Sequence, residues 1–218
     1  MSPCSRRRSA TRPRPVRAAG RGALVAGLAL VLAVALAGCG AAAFDPAGPC
    51  STDGSAPGAY PELEAAVPTS YQGTQPGHLD SGRACSADGL ASLASHGVKE
   101  LRFAGGSWQT GTQSGLSLAI FTDAVGPTLD PAWMIEFFET SARAGKNVTS
   151  VETTDFPVSS GVTGRRIDVL NGDSYQSIVV WEKDGKVAVA LVGDFIREIQ
   201  TKEAHDVIVR AAVDDLAQ

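Results

Sequence analysis

Apolar residues recur with two different periods along the second half of the chain, and those periods predict most of its elements. In "AWMIEFFETSARAG", Met134, Phe137, Phe138 and Ala142 fall on one stripe. Asp130 stands where a helix N-cap belongs, Pro131 suits the first helical position and Gly145 can end the run. A helix over 130–145 follows. Residues 201–216 repeat the spacing through Ala204, Val207, Ile208, Ala211 and Leu216, which predicts a C-terminal helix. Ser86 to His96 groups Leu90, Leu93 and Ala94 on one face, with Gly97 as a stop, and Pro61 to Val67 reads as a short helical turn closed by Pro68.

Alternation with a period of two marks the strands. Leu101 and Phe103 alternate with charged residues, and Leu116, Leu118 and Ile120 with smaller ones. Four further strands are expected near 149–156, 163–170, 174–182 and 186–192. Asn171-Gly172 and Asp184-Gly185 join the last three, because these pairs accept the positive φ of tight hairpin turns. In "SYQSIVVWE" and "KVAVALV" apolar residues occupy both parities, Ile178 and Val180 against Val179 and Trp181. Such strands should be covered on both faces. The element order and this meander, over residues 60–218, resemble the Mog1/PsbP-like α/β/α sandwich. The resemblance implies a single α+β domain, an antiparallel sheet of five or six strands with helices on both faces. It carries over no functional residue.

The first 38 residues follow another pattern. Seven arginines and no acid precede and flank a 15-residue apolar stretch, Ala23 to Ala37, shorter than the roughly 20 residues of a spanning helix. The stretch ends in Leu36-Ala37-Gly38-Cys39, an aliphatic residue and two small ones before a cysteine. This motif resembles the lipobox of bacterial lipoproteins. The resemblance implies a signal peptide over 1–38, cleavage before Cys39, and lipid on the Cys39 thiol that holds the protein on the extracytoplasmic side of the cell membrane. A retained N-terminal anchor helix with an incidental cysteine is the alternative. Residues 39–59, rich in Ala, Gly, Pro and Ser, are expected as a tether, with the globular domain over 60–218.

Charge and cysteines sharpen this picture. The formal net charge is −4, but without the leader 12 bases face 23 acids, near −11 over residues 39–218. That sign disfavours a nucleic-acid partner. Beyond Cys39 the remaining thiols are Cys50 and Cys85, which an oxidising compartment should join. Closing that loop would stabilise by about 3.5–4 kcal/mol in the chain-entropy account. A redox pair is the alternative, although no Cys-x-x-Cys spacing is present.

Motifs for chemistry are sparse. "GGSWQ" lacks the last glycine of a nucleophile elbow, and "AGGSWQTGTQSG" lacks the lysine of a phosphate loop. His78, His96 and His205 show no zinc-ligand spacing, so no metal, cofactor or catalytic residue is assigned. The glycine-rich segment reads either as a recognition loop presenting Trp108 and Gln109, or as a hairpin connection whose tryptophan folds back on the sheet. Arg165 and Arg166 could grip an anionic group, or one could be solvated and the other paired with a carboxylate such as Asp168 or Glu182. Trp133, Phe137, Phe138 and Trp181 read as core or as pocket lining. Two functions stand at this level. One is a non-enzymatic, lipid-anchored envelope protein that binds a partner protein or small ligand. The other is an envelope hydrolase built from scattered residues such as Ser107, His78 and Asp80.

Overall fold

The computed structural model of the chain describes residues 44–124, 128–158 and 161–217. The expected leader, 1–38, and Cys39 lie outside the described residues. The strands are β1 (Gly54–Ala56), β2 (His78–Ala84), β3 (Leu101–Gln109), β4 (Gly115–Asp123), β5 (Val148–Pro157), β6 (Thr163–Asn171), β7 (Ser174–Lys183) and β8 (Lys186–Phe195). They form one sheet in the order β1-β2-β3-β4-β8-β7-β6-β5, antiparallel throughout. Two meanders of four strands thus meet where β4 pairs with β8. The β7–β8 turn places Asp184 and Gly185 at φ 52 and 73, as its sequence requires.

The expected sandwich with five or six strands is overturned by this single eight-stranded sheet. Helices are few among the described residues, and three of the five have four residues: α1 (Pro61–Glu64), α2 (Ala87–Leu90) and α4 (Ile196–Ile199). Only α3 (Pro131–Arg143) and α5 (Lys202–Leu216) are long. Where layers of helices were expected, each face of the sheet carries one long helix and short pieces. The expected helix over 86–96 divides at Ala91, φ 43, into α2 and a 3-10 turn, Ala91–His96.

Two strands escaped the periodicity, β2 and β1. β2 is "HLDSGRA", with Asp80, Ser81 and Arg83 buried, so no apolar alternation marks it. Asp80 Oδ2, Ser81 Oγ and both Arg83 Nη atoms find partners, which offsets much of the desolvation, while Asp80 Oδ1 and Arg83 Nε have no hydrogen-bond partner among the described residues. β1 lies within the stretch expected as a tether. Residues 44–59 are in fact laid along the sheet edge, and Phe44 packs against the core.

β3 also runs further than expected. It absorbs the first half of the glycine-rich segment and leaves only residues 110–114 as a loop. Gly106 is required there, since a Cβ would stand 2.9 Å from the Trp108 ring.

Both parities of β7 and β8 are buried. Ile178, Val180, Val187 and Val189 face the cluster under α3, while Val179, Trp181, Ala188, Ala190 and Val192 face the cluster under α5. α3 begins as its sequence requires, with the Asp130 carboxylate accepting from Ala132 N at 2.8 Å. α5 is capped by Thr201, whose hydroxyl accepts from Ala204 N at 3.2 Å. Its inward stripe is out of phase with the expected one. His205, Val209, Ala212 and Val213 are buried, whereas Val207 is exposed. A histidine leads the true stripe, and its polarity disguised the phase.

Candidate functional site

Beneath the first turns of α5 the sheet carries polar side chains at inward positions. Ser177 on β7 has the parity of Val179 and Trp181, and Asp194 on β8 that of Val192. Asp168 and Arg166 stand beside them on β6. His205, one turn into α5, is lowered among these groups. Its Nε2 lies 2.8 Å from Ser177 Oγ and its Nδ1 lies 2.6 Å from Asp194 Oδ2. Ser177, His205 and Asp194 are 0 %, 1 % and 1 % exposed. Tyr175 stacks on the imidazole at 5.8 Å between centroids.

These distances match those of a serine–histidine–aspartate triad, so the proton positions decide its chemistry. The Ser177 hydroxyl has one proton and two lone pairs. Oγ lies 2.5 Å from Asp168 Oδ1 and accepts from Arg166 Nη2 at 3.0 Å. An approach of 2.5 Å between two oxygens requires a proton between them, so Ser177 donates to Asp168. Its second lone pair then accepts from His205, and Nε2 must carry hydrogen. A nucleophilic serine needs the reverse, an unprotonated Nε2 ready to take the hydroxyl proton. The arrangement is therefore a hydrogen-bond hub saturated at Ser177 Oγ, while Asp194 Oδ1 stays buried without a hydrogen-bond partner among the described residues.

The hub reaches solvent through ionic neighbours. Arg166 Nε donates to Asp168 Oδ1 at 2.7 Å, its Nη2 also pairs with Asp206, and Lys202 Nζ pairs with Asp206 at 3.0 Å and Asp168 at 3.4 Å. Burial pushes the Asp206 carboxyl up, but hydrogen bonds from Arg166 and Lys202 outweigh it and hold the group below its ordinary value. Burial likewise pushes the Lys202 ammonium down, and the Asp206 hydrogen bond with the Asp168 charge reverses this to a net rise. Two carboxylates, Asp168 and Asp206, thus face Arg166 and Lys202, while Asp194 pairs with His205.

The residues singled out from sequence are not brought together. Trp108 is 4 % exposed, donates Nε1–H to Thr74 O at 2.9 Å and meets Tyr71 edge-on at 6.3 Å. It is core, not a loop tip. Gln109 is exposed beside it and donates to Thr112 O at 3.4 Å. The 110–114 loop is tied down by Glu198, which accepts from Gln113 N at 3.0 Å and Ser114 Oγ at 2.6 Å.

Arg165 and Arg166 point to opposite faces. Arg165 is exposed and pairs with Asp155 at 3.0 Å, whereas Arg166 is 7 % exposed and belongs to the hub. Phe137, Phe138 and Trp181 are core, and Trp133 stacks on His96 at 4.8 Å.

His78 Nε2 does reach Asp80 Oδ2, at 3.3 Å, with Ser55 Oγ donating to the same oxygen at 2.7 Å. Ser107 lies opposite His78 in the ladder, yet no hydrogen bond joins the two side chains among the described residues. The signal that sequence reading passed over was the polar interruption of apolar strands at Ser177 and Asp194.

Cys50 and Cys85 form a disulfide. Among the described residues no group of three or more His, Cys, Asp or Glu is placed to hold a metal ion. No helix there is long and apolar enough to cross a membrane. No protein-family model matches the chain, and none of the curated proteins matches it in sequence.

Proposed function

We propose that this chain is a bacterial lipoprotein, exported by its leader, cleaved before Cys39 and lipid-anchored there, whose domain binds a partner protein or a small ligand at the cell envelope. The observation that carries the reading is the Cys50–Cys85 disulfide. Such bonds persist in oxidising compartments outside the cytosol, which is where a lipobox would deliver the chain. A domain held at a membrane meets membrane-bound partners at high effective concentration, so weak contacts suffice for binding. Labelling of cells with an alkynyl palmitate should mark the wild type and leave Cys39→Ala unmarked. Equal labelling of the two would overturn the anchor.

The hydrolase reading retains one favourable observation, the Ser177–His205–Asp194 distances. Against it stand the burial of Ser177 and the commitment of its proton to Asp168. A fluorophosphonate probe should leave Ser177 unmodified in folded protein. Adduct formation at that residue would restore the enzyme.

A further inference from the structure

The segment between the anchor and the sheet is clamped, and its attachment sets how the domain stands on the membrane. Arg83, 4 % exposed, spends its guanidinium on main-chain carbonyls of this segment: Nη1 on Pro46 O at 3.3 Å and Gly48 O at 2.9 Å, Nη2 on Asp45 O at 3.2 Å and Pro49 O at 3.0 Å. The same guanidinium lies 5.5 Å from the centre of the Phe44 ring. Phe44 occupies the space over Gly54 of β1, where a Cβ would come within 2.5 Å of the ring. Beyond the disulfide, Asp53 accepts from Cys85 N at 2.6 Å and Ser86 N at 2.7 Å, and these bonds hold its carboxyl below the ordinary value although burial pushes it up. A free tether keeps its carbonyls in water; here four of them are taken by one buried side chain.

Four residues, and so five Cα–Cα steps, then separate Cys39 from the first clamped position, Phe44. Fully extended, they reach about 17 Å, against about 70 Å had the chain been free to Tyr60. Seven inter-strand spacings place β5 about 34 Å across the sheet from β1. Resting on the lipoprotein reading above, we infer that the β1 edge, with Phe44 and residues 45–52, is apposed to the lipid headgroups, and that the β5 edge points away from the bilayer. The lipid headgroup layer is the surface this edge meets. No base lies within residues 44–58, so the covalent anchor, rather than charge attraction, keeps the edge there. Surfaces available to a partner standing off the membrane are those of the β5–β6 side.

The test uses full-length protein lipidated at Cys39, reconstituted in phosphatidylcholine vesicles carrying a rhodamine-headgroup lipid. A donor fluorophore is introduced through a non-natural residue at Ser51 or at Thr154, both exposed. Energy transfer from position 51 should exceed that from position 154 by about threefold or more, given the separations above. A Gly/Ser insertion of roughly 15 residues after Gly40 should lower transfer at 51 towards the value at 154, because it restores a long tether. Equal transfer from the two sites in the wild type, or an insertion without effect, overturns the inference. Protein that lacks acyl mass at Cys39 and fails to float with vesicles overturns the lipoprotein reading itself. The clamp is checked separately by limited proteolysis, which should spare residues 44–53 in the wild type and cut them in Arg83→Met. Cleavage there in the wild type also overturns the inference.

Discussion

Beneath α3 the sheet presents Phe121, Ile167, Val180 and Val189 to Met134, Phe137 and Phe138, whereas beneath the first turns of α5 it presents Ser177, Asp168 and Asp194 to His205. Apolar contact is favourable over a range of orientations, since its free energy follows area and packing. Hydrogen bonds are directional, and a buried group left unpaired costs more than the pair contributes. The contrast teaches that α3 adheres while α5 is keyed. A rotation of α5 that buried exposed Val207 in place of Val209 would withdraw His205 from both of its partners.

The comparison can be broken in four ways. Phe138→Ala should show the largest effect, about 3–5 kcal/mol, because a well-packed site loses both transfer energy and contacts. Urea unfolding would read it, and a loss under 1 kcal/mol would mean that α3 does not depend on this packing. His205→Leu comes next, costing about 3 kcal/mol because Asp194 remains buried without its partner. The double variant Asp194→Leu/His205→Leu should recover most of that loss. If the two substitutions simply add, the keyed account of α5 fails.

Acid should then separate the faces. Asp206 sits below its ordinary value when folded, so the unfolded chain takes up the proton first. Its stabilisation is complete above the unfolded value and is lost as pH falls below about 4, through the folded value. Thermal melts between pH 6 and pH 3 should therefore decline less steeply in Asp206→Asn than in the wild type, while Phe138→Ala keeps the wild-type slope. Parallel slopes for Asp206→Asn and wild type would remove Asp206 from the acid response. The smallest effect belongs to Asp155→Asn, which breaks the exposed pair with Arg165 and should alter stability by less than about 0.5 kcal/mol.

Legibility followed the range of the forces involved. The α3 segment declared itself through Asp130, Pro131 and its stripe, and the β7–β8 turn through Asp184-Gly185, because each depends on residues a few positions apart. The disulfide was legible in the cysteine count, since Cys50 and Cys85 remain once Cys39 is set aside as the expected lipid site. β2 stayed hidden because its inward residues are polar and are partnered by groups far along the chain, such as Ser55 for Asp80 and the carbonyls of 45–49 for Arg83. Trp108 was misleading for a related reason. The glycines beside it suggested a loop, yet Gly106 is there to let its ring lie against the strand.

What the chain determined by itself is its local periodicity and its turns. These are set by neighbouring φ, ψ and side-chain spacing, which hold in any context. Tertiary structure decided the number of strands, the phase of α5, the clamp at Arg83 and the direction of the Ser177 proton. Each of these depends on which residues face one another across the sheet, and that register exists only once β4 has paired with β8 and the two meanders have become one sheet.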